Sequence, residues 1–418
     1  MVSNIKNIKS VGTYIDLFSG CGGLSLGLGN AGWQGVFAVE KDEMAFDTFK
    51  HNLIDGKYNH FDWPEWLPRE ATTIQTLLKN HREQLFSLRG SVDLIAGGPP
   101  CQGFSLAGRR NPNDPRNELS NQYLNMVDLV RPKYILLENV KGFNSTFSDA
   151  KGKKGKIPQS IIVKAKLEGL GYTVFTDYVN SQDYGVPQQR QRFLMVGIRN
   201  DLLKADVNPF ALLNELRPLF LKSKGLTENF VSVKEAIGDL ETKRKKLIYH
   251  SGSLESGFKQ IDYKPPRNLN SYQQIMRKGL NGSKPNSLRM ARHKATTVSK
   301  FELIHELCRP GVALNNAERE KVGTRKQAIT VLHANKPSKT LTTLPDDILH
   351  YSEPRILTVR ESARIQSFPD DFAFQGKYTT GGERRTKECP RYTQVGNAVP
   401  PLLGEVLGQL IHQMKERF

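Results

Sequence analysis

The sequence predicts an α/β protein: a mixed, mostly parallel sheet with helices on both faces, plus a smaller and more irregular second domain. Three observations carry that expectation. Short apolar runs recur through the first 200 residues, each followed by a glycine-rich or polar turn and then a helical pattern. From about Asn200 to Tyr351 this rhythm stops, and segments rich in Asn, Ser, Gly, Lys and Pro take over. From Leu357 the helical pattern returns. The implied boundaries are 1–199 for the first domain, 200–351 for the second, and 352–418 for a segment returning to the first. A chain of 418 residues is long enough for both.

The first unit of the pattern occupies residues 13–40. Tyr14 to Phe18 reads as a strand, Ser19-Gly20-Cys21-Gly22-Gly23 as a turn, and Leu24 to about Ala31 as a helix. A second strand, Val36 to Val39, ends at Glu40. A carboxylate about 20 residues beyond a glycine turn suits the ribose diol of a nucleotide-like cofactor. The third glycine of the strict dinucleotide pattern is missing, because Ser25 stands there. A cofactor without a pyrophosphate does not need that glycine. S-adenosylmethionine, which carries ribose and adenine but no phosphate, fits better than NAD.

The next apolar run, Val92 to Ile95, leads into Ala96-Gly97-Gly98-Pro99-Pro100-Cys101-Gln102-Gly103-Phe104-Ser105. The glycines let the chain turn sharply and the prolines stiffen it just before the cysteine. That places a thiol at the carboxyl end of a strand, where chemistry collects in open α/β sheets. The bland reading is a small buried hydrophobe. Leu106 to Arg116, with Arg109, Arg110 and Arg116, is nearly devoid of apolar residues and looks like a mobile lid that touches phosphates. A helix from about Asn117 to Val130 and a strand from Tyr134 to Leu137 follow, ending in Glu138-Asn139-Val140. An acid at the end of an apolar strand suits proton handling; the alternative is a solvated strand-end carboxylate.

A helix (Ser160 to Leu170) and a strand (Tyr172 to Tyr178) precede Val186-Pro187-Gln188-Gln189-Arg190-Gln191-Arg192 and the strand Phe193 to Gly197. Arg190 and Arg192 share parity, so on an extended segment both face one way, as an anionic ligand would require. Thr358 caps Val359 to Gln366 with Glu361 three residues on, the pattern of a capping box. A turn, the block Tyr392 to Pro401, and a last helix from about Leu402 to Lys415 complete the chain.

A net charge of +18 points to a polyanionic partner. Between Lys243 and Lys300 fourteen Lys and Arg face two acids, Glu255 and Asp262, which concentrates +12 of that charge in one segment and suits a nucleic-acid face. No run of about 18 apolar residues is present, so no membrane span is expected. The start, Met1 to Lys6, lacks the apolar core of a secretory signal, which implies a cytoplasmic location. The four cysteines lie far apart without a C-x-x-C pair, which argues against a zinc site or a disulfide framework.

Taken together, these residues resemble the DNA cytosine-5 methyltransferase family of bacterial restriction–modification type. Asp16 to Gly23 looks like its first cofactor motif, Gly98 to Ser105 like its nucleophile motif, and Glu138-Asn139-Val140 like its Glu-Asn-Val motif. Gln188-x-Arg190-x-Arg192 is similar to its paired-arginine motif, and Arg360 to Pro369 and Gln394 to Pro401 to its last two blocks. Pro337 to Thr342 resembles the end of its target recognition region, so only about Asn200 to Asn335 is uncovered. The resemblance implies a Rossmann-like S-adenosylmethionine-dependent methyltransferase domain joined to a target recognition domain.

The resemblance also implies that Cys101 adds to carbon 6 of a flipped-out cytosine in double-stranded DNA, making carbon 5 nucleophilic. Glu138 would hold ring nitrogen 3, Asn139 would support it, and Arg190 and Arg192 would anchor the base. Phe18, Ser19, Gly20, Gly22, Gly23, Glu40, Pro100, Leu119 and Asn397 map onto the cofactor pocket. Ser105, Arg109, Arg110, Arg116 and Thr340 map onto the DNA. No metal is implied, the protein would be a monomer, and a restriction endonuclease would be its functional counterpart. Two departures stand out. Lys41 follows Glu40 where an aromatic residue often stacks, and the acid for the adenine amino group is either Asp62 or is missing from residues 72–74. A tRNA cytosine-5 methyltransferase, a catalytically silent DNA-binding relative and an NAD oxidoreductase are the competing readings. The long basic region argues against the first, the retained Cys101, Glu138, Arg190 and Arg192 against the second, and the missing third glycine against the last.

Overall fold

A strand covered on both faces must be apolar along its whole length, and β1 (Gly12–Leu17) is buried at nearly every position. In the computed structural model, which describes residues 10–100, 118–145, 157–203, 208–243, 245–250, 252, 257–280, 282–380, 384 and 387–417, this strand lies inside a six-stranded sheet. Cys101, Ser105, Arg109, Arg110 and Arg116 lie outside the described residues. Helix α1 (Gly23–Asn30) begins where Gly22 adopts φ 93°, and a Cβ there would stand 2.4 Å from Leu53 Cδ1. Only glycine meets both demands. Strand β2 (Trp33–Val39) then runs parallel to β1.

Helix α2 (Glu43–Phe49) is capped by Asp42, whose Oδ1 accepts from the Ala45 N–H at 2.9 Å. Helix α3 (Ile74–Asn80) is capped by Thr73 in the same way, and α4 (Arg82–Ser87) follows. The chain continues through β3 (Leu94–Gly97), α5 (Glu118–Val130), β4 (Tyr134–Asn139), α6 (Gln159–Gly169), β5 (Tyr172–Asn180), β6 (Gln188–Gln189), β7 (Gln191–Arg199) and α7 (Pro209–Ser223). The sheet order is β2-β1-β3-β4-β7-β5, with β2, β1, β3 and β4 parallel and β7 antiparallel to both its neighbours. This is the mixed, mostly parallel sheet expected from the sequence.

The remaining elements are short: α8 (Val233–Ile237), β8 (Leu247–Tyr249), β9 (Lys259–Ile261), α9 (Ser271–Arg277), α10 (Ala295–Leu307), α11 (Asn316–Val322), β10 (Thr330–Val331), β11 (Ser338–Lys339), β12 (Ile348–Leu349), α12 (Val359–Ile365) and α13 (Arg391–Asn397). The last helix, α14 (Pro401–Arg417), packs on α1 through glycines. A Cβ on Gly404 would stand 3.1 Å from Leu24 O, and Trp33 Nε1 donates to Gly408 O at 2.9 Å. No helix among the described residues is long and apolar enough to cross a membrane.

The chain forms two compact units. The first comprises Met1–Asn180, Gln191–Leu216 and Leu403–Phe418; the second comprises Ser181–Arg190 and Arg217–Leu402. Helices α12 and α13 belong to the second unit, and only α14 returns to the first. Side chains bind α12 into the second unit. Arg364, fully buried, pairs with Asp370 at 2.7 Å and with Asp239, and donates to Ala236 O at 3.0 Å.

A second buried ion network surrounds the start of α12. The capping box forms as expected, with Glu361 N–H donating to Thr358 Oγ1 at 3.1 Å and Thr358 N–H to Glu361 Oε2 at 2.7 Å. Glu361 also accepts two bonds from Arg355, at 2.7 and 2.8 Å, and faces buried His350 at 3.6 Å. Burial acts to raise the Glu361 carboxyl, but Arg355, His350 and the Thr358 N–H outweigh it and hold the group at about 2. Burial keeps His350 below its usual range.

Both groups bind fewer protons folded than unfolded, so both lose stability on acidification. The His350 contribution fades below about pH 6.5, and the Glu361 contribution fades as pH falls from about 4.5 toward 2. The thermal midpoint is therefore expected to fall steadily between pH 6.5 and 3. Arg355→Met, which strands Glu361, should cost about 3–5 kcal/mol at neutral pH and flatten the acid limb. Thermal unfolding followed across pH checks both; a midpoint insensitive to pH below 5 would contradict the assignment.

Candidate active site

Strand register creates the site. Val39 on β2 is level with Leu17 on β1, Leu17 with Gly97 on β3, and Gly97 with Leu137 on β4. The residues that follow, Glu40, Phe18, Gly98 and Glu138, thus stand in one row along the carboxyl edge of the sheet, the ligand-binding edge of open α/β folds. Small residues permit this approach. A Cβ on Gly97 would lie 2.3 Å from Leu17 O, and one on Gly98 would lie 3.0 Å from both the carbonyl oxygen and Oε2 of Glu138.

At one end of the row, Glu40 receives the Gly20 N–H on Oε2 at 3.0 Å and the Asp42 N–H on Oε1 at 2.8 Å. Burial raises its carboxyl and these two N–H groups act against the rise. Each oxygen keeps a lone pair for a further donor. Phe18 is a non-glycine residue at φ 63° and Gly20 has φ 56°, so the turn is strained where it meets the edge. The Ser19 hydroxyl is buried in this turn with no hydrogen-bond partner among the described residues. Cys21, in the same turn, is no nucleophile, because burial pushes its thiol up to about 12.

Thr72 N–H donates to Glu40 O at 2.8 Å, and exposed Asp62 donates through its backbone N–H to Gly35 O at 2.8 Å. Leu119 sits half-exposed in the first turn of α5.

At the other end of the row, Arg192 Nε pairs with Glu138 Oε1 at 2.7 Å, the two side chains being 9% and 12% exposed. Asn139 Nδ2 donates to Pro99 O at 3.0 Å while its Oδ1 accepts from Val140 N–H at 2.8 Å. The side chain after Glu138 thereby holds the segment that leads, through Pro100, to Cys101. Burial lowers the pKa of Arg192, though Glu138 beside it acts to raise it.

Arg190 is buried and its Nη2 donates to Gly396 O at 3.0 Å, next to Asn397, the exposed last residue of α13. The Arg190 carbonyl accepts from the Ser181 N–H at 3.0 Å. Thr340 is exposed, with its hydroxyl donating to Gln189 O at 2.7 Å.

Two features escaped the sequence reading. Ser25, noted only as a missing glycine, donates its hydroxyl to buried Asp16 at 2.5 Å. Burial pushes the Asp16 carboxyl up to about 7. Gln188 donates to Gln366 Oε1 at 2.8 Å and accepts from Leu341 N–H at 2.9 Å, while Gln366 donates to Val395 O at 2.8 Å. The blocks holding these residues were visible, but a pairing such as Gln188 with Gln366, 178 positions apart, was not.

The family model for C-5 cytosine-specific DNA methylases matches residues 12–413. The chain is 34% identical to the Type II methyltransferase M.DdeI of Desulfomicrobium norvegicum over 95% of its own length and 88% of that protein. It is 31% identical to the Type II methyltransferase M1.HphI of Haemophilus parahaemolyticus, covering 96% and 87%. Its fold is shared with a putative DNA modification methyltransferase encoded within an E. coli prophage (TM-score 0.62, 24% identity, 96% and 99% covered). It is shared also with the S. pombe Dnmt2 methyltransferase (TM-score 0.50, 15% identity, 97% and 98% covered). The chain belongs to the C-5 cytosine-specific DNA methylase family and is a DNA (cytosine-5-)-methyltransferase.

Removing one member of a buried ion pair leaves the other charge uncompensated. Arg192→Met is expected to destabilise the fold by about 3 kcal/mol, and adding Glu138→Gln to it should recover most of that loss. Denaturant titration of the two single variants and the double variant checks this. Strictly additive losses would show that the pair does not interact.

Proposed function

We propose that the chain methylates carbon 5 of a cytosine flipped out of double-stranded DNA at one short sequence, using S-adenosylmethionine and a covalent Cys101 adduct. The observation that carries the reading is the shared level of Glu40, Phe18, Gly98 and Glu138 on four adjacent strand ends, with Arg192 paired to the last. One end of that row suits a nucleoside-like cofactor and the other suits a base.

The cofactor pocket fits residue by residue. Glu40 would accept the ribose hydroxyls, the orphaned Ser19 hydroxyl and the Gly20, Gly22 and Gly23 turn would meet polar groups, and Phe18, Pro100 and Leu119 would wall the ring. Asn397, whose neighbour Gly396 is held by Arg190, completes the set. S-adenosylmethionine supplies an electrophilic methyl group.

Cys101, as thiolate, adds to carbon 6 of the cytosine, and the displaced electron pair makes carbon 5 a nucleophile. Glu138 holds ring nitrogen 3 and draws charge from the ring, its position fixed by Arg192. Asn139, through Pro99, sets the approach of Cys101. Once carbon 5 carries the methyl group, a base, such as water, removes its proton, the bond from sulfur to carbon 6 breaks, and the ring regains aromaticity. A cytosine inside a duplex is out of reach, so it must leave the stack. Residues 1–199 would form the catalytic domain with 352–418 returning to it, and 200–351, carrying most of the basic charge, would read the target. Ser105, Arg109, Arg110, Arg116 and Thr340 would touch DNA. The chain would work as a monomer in the cytoplasm beside a cognate restriction endonuclease, a pairing in keeping with the Type II names of its relatives.

Base-resolution mapping of 5-methylcytosine in a methylation-free bacterial host expressing the chain tests the reading. One short methylated motif is expected, absent with Cys101→Ser and reduced about 10²–10⁴-fold in rate with Glu138→Gln. Soluble protein that leaves the DNA unmethylated would overturn it.

A further inference from the structure

The second unit contains a recess of about 420 Å³ whose lining includes His250, Arg289, Lys377, Tyr378 and Arg391. Three segments build it. His250 N–H, at the end of β8, donates to Phe258 O at 2.9 Å, and Met290 N–H donates to Lys259 O at 2.8 Å, which fixes Arg289 beside the β8–β9 hairpin. Arg391 N–H donates to Lys377 O at 2.9 Å and ties the start of α13 to the third segment.

The Arg289 guanidinium lies 3.5 Å from the centre of the Tyr378 ring and 4.0 Å from that of Phe258, and Arg391 lies 4.4 Å from the same Tyr378 ring. Stacking holds both cations in place. Neither pairs with a carboxylate among the described residues, and Lys377 is taken up by Glu388 at 3.0 Å. Arg289 Nε is buried without a hydrogen-bond partner there. Burial, followed by the repulsion of Arg391, lowers the pKa of Arg289. Arg391 donates through Nε to Gly376 O at 2.9 Å and through Nη1 to the Ser287 hydroxyl at 3.4 Å, so neutral oxygens, and no carboxylate among the described residues, meet these two neighbouring cations at the wall of an open recess.

We propose that this recess is a phosphate site that takes one backbone phosphate of the DNA substrate between Arg289 and Arg391. The proposal rests on DNA being the substrate. Base edges lie at the floor of a groove and are reached by side chains that project, whereas phosphates stand out from the duplex and enter a concavity. A guanidinium stacked on a ring presents its in-plane N–H fork to an anion, the geometry of bidentate phosphate binding.

The test uses the full chain and a short duplex carrying the motif found by mapping, with phosphates replaced one at a time by neutral methylphosphonate. Arg289→Met, which keeps an apolar stem on the rings, is expected to weaken binding roughly tenfold and to lower the slope of log affinity against log salt by about one. One methylphosphonate position should weaken the wild type and leave Arg289→Met unaffected. Arg289→Lys should keep most of the salt slope. Four results would overturn the site: unchanged affinity in Arg289→Met, no such position, equal losses in the Lys and Met variants, or a loss confined to the mapped motif and absent with unrelated duplex. The first two leave the methyltransferase reading intact, since wild-type methylation is scored separately. A wild-type chain that binds no duplex removes both.

Discussion

The parallel register of β2, β1, β3 and β4 decides where chemistry is available in this chain. Strands in register end together, so four consecutive strand ends bring Glu40, Phe18, Gly98 and Glu138 to one level without any loop having to fold back. The register in turn depends on Gly97, since any side chain there would drive into the Leu17 carbonyl. A one-residue slip of β3 would turn its side chains to the opposite face and move the Pro99 carbonyl away from Asn139. The ladder thus fixes where Gly98 and Pro99 stand.

Polar groups at that edge are then fixed by partners chosen from the strand itself or the next one. Glu138 uses Arg192, which stands at the start of β7, and Asn139 uses Pro99 and Val140. Leaving either charge of the first pair alone in so enclosed a place would be costly. The second unit repeats the strategy with larger networks. Arg364 is surrounded by Asp239 and Asp370, and Arg355 by Glu353 and Glu361, each guanidinium facing carboxylates in a fork. These arrangements specify how α12 enters the unit, which a purely apolar helix face would leave looser.

The strands, the glycine turn, the helix cap at Thr358 and the order of the sheet-edge residues were legible because each is encoded within about ten residues of itself. The helix Arg391–Asn397 was not, since a glycine and the following prolines interrupt the pattern of its block, and Gln366 and Arg190 bond its carbonyls from far along the chain. Periodicity reports what an element is, while the partner it packs against is set by distant residues such as Asp239 and Gln188.

Net charge illustrates the same distinction between composition and contact. An excess of +18 implies an anionic partner but does not say which cations meet it. Burial with acids removes some arginines from consideration, since Arg355 and Arg364 spend their donors inside the fold. Exposed lysines such as Lys284 and Lys326 lie on acids of their own. Arg289 and Arg391 are left as cations that the fold has gathered without a carboxylate among the described residues, held by aromatic faces that leave the donor edges free of charge compensation. A fold that brings two such groups together gives up stability unless an anion arrives from outside. In a protein whose substrate is a polyanion, such a site recognises that substrate in a way the summed charge does not.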